Sequence, residues 1–217
     1  MTVSDPAPKA PASSRRGLYL SLIVGVAVLG AIALDTTVVR VGSESDLRQQ
    51  AFSPDAYGAE AFPRIRDVVT ERAVPATDLA AAIAADQDAA IAEYGTPAST
   101  GAIMMTTLTG TAGEPRAGVY PLEVEGLPDD LTVRVQTGPA INGTDLRDAP
   151  GDIAFGDFTN QIEYQDAGSG INRAMAAEVL EPIDTANLTG KQVTVTGVFR
   201  LINPRNWLIT PVAMEIQ

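Results

Sequence analysis

Residues 192–201 read QVTVTGVFRL, and residues 207–216 read WLITPVAMEI. In the first segment Val193, Val195 and Gly197 alternate with Thr194 and Thr196. That two-residue period is the mark of a strand with one face in a core. The second segment carries Leu208, Ile209, Val212 and Met214. Between them Asn203, Pro204, Arg205 and Asn206 form a connection of turn-favouring residues. The chain therefore ends in a strand pair.

The same strand character recurs upstream. Ala102 to Thr109, Val119 to Val124 and Leu131 to Thr137 are rich in β-branched residues. Gly110 to Gly118 and Gly126 to Asp130 separate them, and Gly138-Pro139 ends the third. Asp152 to Tyr164 is expected to hold another strand and a turn. Asn172 to Glu181 is expected to be a short helix stopped by Pro182.

Earlier residues favour helix. Ser53 is a good N-cap, with Pro54 at the first helical position and Asp55 in the first turn. This helix should run to Arg72, with Pro63 kinking or dividing it. Ile65, Val68 and Val69 supply its inward face. Thr77 is the next expected N-cap. Leu79 to Tyr94 is alanine-rich, with a stripe of Leu79, Ile83 and Ile91, and ends at Gly95. The expected architecture is α+β: a helical pair over 52–96, then five or six mostly antiparallel strands over 100–217, with one inserted helix. A helix before the last strand pair suggests a small Greek-key barrel of the OB kind.

Residues 17–34 carry no charge. As a helix they would extend about 27 Å, close to the hydrocarbon thickness of a bilayer. Lys9, Arg15 and Arg16 precede this run, against Arg40 and Arg48 after it. The positive-inside bias puts 1–16 in the cytoplasm as a disordered Pro- and Ala-rich tail. Residues 35–51 become a linker, with Thr36 to Val41 able to form a short strand. Residues 52–217 become an extracytoplasmic domain held at the cytoplasmic membrane. The competing reading is a signal peptide processed after Ala33. Both readings export the same domain.

The chain has 15 basic and 27 acidic residues, a net charge of −12. Nucleic-acid binding needs a basic face, so that class is excluded. Cysteine and histidine are absent. That removes Cys/His zinc sites, thiol nucleophiles and the Ser-His-Asp triad. No cofactor is expected. Lys191 is the only lysine beyond the apolar run, so catalysis would rest on carboxylates, Tyr or Arg.

Gly138 to Tyr164 is the densest polar and aromatic stretch. It admits a hard-cation site, a carboxylate pair for glycoside hydrolysis, or a surface for a sugar or peptide. Asp145 and Asp148 lack the alternate-residue spacing of an EF-hand loop. In the third reading Phe158, Tyr164 and Trp207 stack on a ligand while Asn160, Gln161 and Arg147 hydrogen-bond it. Loops packed on a barrel rim have the same composition.

Four segments carry a resemblance. They are GPAINGTDLRDA at 138–149, FGDFTNQIEY at 155–164, VTGVF at 195–199 and NWLITPV at 206–212. Together they resemble the bacterial family described as predicted periplasmic lipoproteins, of unknown function, from about Phe52 onward. The resemblance implies a position beside sugar-type ABC importers, and hence transporter subunits as partners and an accessory role in carbohydrate uptake. It implies no catalytic residues. A lipoprotein needs a cysteine for acylation and this chain has none, so the apolar run must serve as the anchor. The residues expected at any binding site are Arg147, Asp157, Asn160, Gln161, Glu163 and Trp207.

Overall fold

The structure is a computed structural model that describes residues 15–35 and 52–217. The chain divides into two compact units, 1–51 and 52–217. The expected tail over 1–14, the linker over 36–51 and the strand at Thr36 to Val41 lie outside the described residues.

Among the described residues of the first unit, helix α1 (Arg15–Asp35) covers the apolar run. Its described side chains are Tyr19 and those of residues 22–32, all exposed. Leu22, Ile23, Val26 and Leu29 are each more than half exposed. Among the described residues no helix is long and apolar enough to cross a membrane.

The second unit is built on strands β1 (Val74–Pro75), β2 (Thr96–Pro97), β3 (Ala102–Ala112), β4 (Val119–Glu123), β5 (Thr132–Gln136), β6 (Gln192–Leu201) and β7 (Asn206–Ile216). The last five close on themselves in the order β3-β4-β5-β7-β6, with β6 returning to β3. The β5–β7 pairing is parallel and the other barrel pairings are antiparallel. Closure leaves the barrel without a free sheet edge. β1 and β2 are short additions bridged to β3.

The alternation in the last two strands follows from this closure. Val193, Val195, Phe199, Trp207 and Ile209 are fully buried inside. Thr194 and Thr196 face outward and pair through their hydroxyls with Thr109 and Thr107. The register slips at Gly197, which pairs with Pro211, while Thr196 pairs with Ala213. Val212 is the extra residue of this bulge. A proline, lacking an N–H, is tolerated there. A Cβ on Gly197 would collide with the Thr210 carbonyl, which explains a glycine in a valine position.

Four helices complete the unit: α2 (Pro54–Arg72), α3 (Ala76–Ala85), α4 (Gln87–Tyr94) and α6 (Gln161–Met175), with a single turn, α5 (Asp145–Asp148). Ser53 caps α2 as expected, accepting from the Ala56 amide. Pro63 does not divide α2. The expected helix over 79–94 is two helices. Asp86 ends α3 in an extended conformation and caps α4 through its carboxylate and the Ala89 amide at 3.0 Å. Thr77 lies inside α3 rather than at its cap, because Val74 and Pro75 are drawn into the bridge to β3.

The largest correction concerns 152–181. There is no strand over 152–164. A 3-10 turn at Phe155–Asp157 leads into α6, which starts eleven residues before the expected Asn172 and continues through a π turn at Ala176–Leu180. Gly168 and Gly170 hid this helix, since each costs about 1 kcal/mol against alanine in a helix interior. Gly170 is there for contact. A Cβ on it would overlap the Pro54 carbonyl, and one on Gly58 would overlap Gly170 itself. The two glycines let α2 and α6 cross at backbone distance. α6 is the inserted helix, placed between the third and fourth barrel strands.

Candidate functional site

α5 is held by its one large apolar side chain, Leu146, which is fully buried. That anchoring sets Asp145, Arg147 and Asp148 around the barrel rim, beside Arg200 near the end of β6. Arg147 is only 5 % exposed. Its Nε and Nη2 bond Asp148 Oδ1 at 2.9 and 2.8 Å. Its Nη1 donates to the Tyr164 carbonyl at 2.9 Å, and its guanidinium lies 3.6 Å from the centre of the Tyr164 ring. Arg200 Nε donates to Asp145 Oδ1 at 3.0 Å, and Arg200 Nη2 bonds Asp148 Oδ2 at 2.7 Å. Thr144 Oγ1 donates to the same Asp148 oxygen at 2.9 Å. Two guanidinium groups and two carboxylates thus form one neutral network.

Burial holds the Asp145 carboxyl above its ordinary value of 3.8, against the lowering pull of Arg200. Burial also pulls Arg200 down. Its hydrogen bonds and charge contacts with Asp148 and Asp145 outweigh that and hold it above its ordinary value. The cation-site reading finds these two aspartates already occupied by Arg200.

Thr144, Arg147 and Asp148 of this network form one wall of a cleft of about 570 Å³, in the 300–1,000 Å³ range typical of small-ligand sites. The cleft runs between the end of β2 at Pro97 with the loop after it (Ala98 and Ser99), α5, and the first turns of α6. Gln161, Tyr164 and Gln165 face it from α6. Behind Tyr164 sits a chain of aromatic rings. Phe158 lies 5.4 Å from Tyr164, Tyr57 5.5 Å from Phe158, and Phe52 5.6 Å from Phe158. Phe155 meets Tyr164 edge-on at 5.7 Å and is half exposed. Such tilted and edge-on pairs suit the aromatic quadrupole and fix the ring orientations. Burial raises the Tyr57 hydroxyl above its ordinary pKa.

Of the residues expected at a site, Arg147 and Gln161 reach the cleft. The other four have different surroundings. Asn160 is the N-cap of α6, its Oδ1 accepting from the Ile162 and Glu163 amides at 2.9 and 3.0 Å. Glu163 Oε2 accepts from the Thr159 amide at 3.0 Å. Asp157 Oδ2 accepts from the Ala154 amide at 2.8 Å and closes the 3-10 turn. These carboxylate and amide oxygens satisfy helix-start donors that would otherwise be orphaned. Trp207 is fully buried, stacked on Phe199 at 4.4 Å, with its indole N–H donating to the Pro204 carbonyl at 3.1 Å. It is part of the barrel core. Sequence reasoning missed Ser99, Gln165 and Arg200. For Arg200 the one available signal was a charged residue at the end of an apolar strand.

A second concavity of about 410 Å³ lies between α3 and the connections carrying Pro128, Leu131 and Pro204. Its α3 wall is the apolar stripe of Ala80, Ile83 and Ala84.

A five-stranded closed barrel with a helix between its third and fourth strands defines an OB-fold protein. The crystal structure of an OB-fold protein from Thermotoga maritima superposes with a TM-score of 0.60 and 18% identity, covering 77% of this chain and 99% of that one. The chain belongs to the family described as predicted periplasmic lipoprotein (DUF2291), whose pattern matches residues 22–215. The match reaches further toward the N-terminus than the four quoted segments implied. No curated protein matches the chain.

Proposed function

We infer that this protein is a membrane-anchored, extracytoplasmic accessory protein that works by binding rather than by catalysis. One observation carries the reading. The family match starts at residue 22, inside the apolar helix, and continues to residue 215, so the helix and the barrel belong to one family unit. The family is described as periplasmic and lipid-attached, yet these 217 residues contain no cysteine to acylate. A helix with Leu22, Ile23, Val26 and Leu29 exposed is apolar surface that prefers lipid to water. It supplies the attachment that acylation supplies elsewhere.

Binding is favoured over catalysis by the chemistry at the cleft. Histidine and cysteine are absent, and Asp148 is paired with both Arg147 and Arg200. A general acid or base needs a titratable proton within reach of substrate. The expected partner is a membrane subunit of a carbohydrate importer, a reading supported by the family resemblance. Crosslinking in intact cells, followed by purification of the full chain from solubilised membranes, tests it. A transport subunit should accompany the protein. Repeated recovery without any such subunit would remove the partner.

A further inference from the structure

We propose that the cleft between α5, α6 and the loop after β2 binds a small uncharged molecule carrying several hydroxyl groups. The proposal rests on the binding reading above but not on its partner. Four residues with polar side chains line this concavity, Ser99, Gln161, Tyr164 and Gln165. None of these side chains makes a hydrogen bond among the described residues. Two amides and two hydroxyls each donate and accept, the complement of a ligand whose groups also do both. A carboxamide can bridge two neighbouring hydroxyls, one through its N–H and one through its carbonyl.

Charge decides the rest of the ligand's chemistry. The charged groups facing the cleft are Arg147 and Asp148, joined at 2.8 Å. Their pairing leaves no free charge to neutralise an ionic ligand. An anion would also meet the repulsion of a chain carrying −12. A cation would have to compete with two guanidinium groups for Asp148. A neutral ligand meets neither obstacle. The half-exposed Phe155, beside Tyr164, offers an apolar surface to the C–H face of such a molecule.

The site is also preorganised. Arg147 is clamped by Asp148, by the Tyr164 carbonyl and by the Tyr164 ring. Those contacts fix Tyr164, and the turn of α6 that carries Gln161 and Gln165 is fixed with it. A fixed backbone lowers the ordering cost on binding, which is left to the exposed Gln161 and Gln165 side chains. The cleft lies away from the second and third barrel strands, the face that OB-folds commonly use for ligands.

The test is calorimetry and thermal unfolding of the full chain in a detergent without a sugar headgroup. The probes are glucose, ribose, sorbitol and myo-inositol, with citrate and putrescine as charged comparators. At least one polyhydroxylated probe should release or absorb heat. A probe at a hundredfold excess over its dissociation constant should raise the melting temperature by roughly 5–10 °C. Gln161→Ala combined with Gln165→Ala should weaken that binding at least tenfold. Tyr164→Phe, which removes only the hydroxyl, should weaken it less. Both variants should melt close to the parent, because these groups have no hydrogen-bond partner to lose among the described residues. No response to any polyhydroxylated probe, a stronger response to citrate or putrescine, or binding unchanged in the double variant would each overturn the proposal. Any of these results leaves the partner reading standing, since co-purification measures that separately.

Discussion

Replacing Arg200 with methionine isolates the network at the barrel rim. The side chains of Arg200, Asp145 and Asp148 are 16%, 15% and 14% exposed, so all three charges are largely withdrawn from water. Methionine keeps the apolar stem and removes the guanidinium. Asp148 retains Arg147, but Asp145 loses the one cation that pairs with it among the described residues. Breaking a buried pair from one side costs about 3–5 kcal/mol, because the remaining charge stays buried and unpaired. For a chain of 150–250 residues each kcal/mol is worth about 2–4 °C, so the melting temperature should fall by roughly 6–20 °C.

The loss should also depend on pH, with a definite sign. In the parent, burial already holds the Asp145 carboxyl above 3.8 in the folded state. The folded state therefore binds that proton more tightly than the unfolded state. Asp145's contribution to stability declines as pH rises through the window above 3.8. Removing Arg200 deletes the opposing charge and widens the window upward. The penalty should thus be greatest near neutrality and shrink on acidification. Adding Asp145→Asn should recover much of it. Chemical denaturation of parent, single and double variants at several pH values reads all of this. A penalty below about 1 kcal/mol, the range of exposed ion pairs, or one that is flat with pH, would refute a buried network.

Three further substitutions probe the packing. Trp207→Ala should cost about 3–5 kcal/mol in denaturant unfolding, as expected for a fully buried indole stacked on Phe199 rather than a ligand contact. Gly170→Ala should destabilise by about 1–3 kcal/mol although alanine is the better helix former, because its Cβ overlaps the Pro54 carbonyl; a stabilised variant would deny the close α2–α6 crossing. Asn160→Ala should lower the melting temperature through loss of about 1 kcal/mol of capping, while leaving any calorimetric response to the cleft probes unchanged.

Much of the barrel was legible because its strands obey a simple period. Val193 and Val195 alternate with threonines because one face of β6 is core and the other is not. The OB topology could be inferred because a helix precedes the last hairpin. The helical errors have local physical causes. Propensity alone cannot show that Asp86 breaks the alanine-rich segment, since its extended backbone is set by where α3 and α4 pack. Nor can it show that Gly168 and Gly170 belong inside a helix, since their value lies in a contact with α2. The site was half legible for a related reason. Asn160, Glu163 and Trp207 are the residue types of ligand sites, but also of helix caps and cores. Which role they fill depends on whether their polar atoms find partners within the fold. Ser99 reaches the cleft from the loop after β2, and Arg200 reaches Asp148 behind it from β6, both far from α6 in sequence, and no local pattern announces that meeting.

Protease added to intact spheroplasts tests the tethered, outward-facing arrangement directly. Residues 52–217 should be digested without lysis, while a fragment containing the helix over 15–35 remains with the membrane. A body that stays protected until the cells are opened, or that washes free of the membrane uncut, would contradict it.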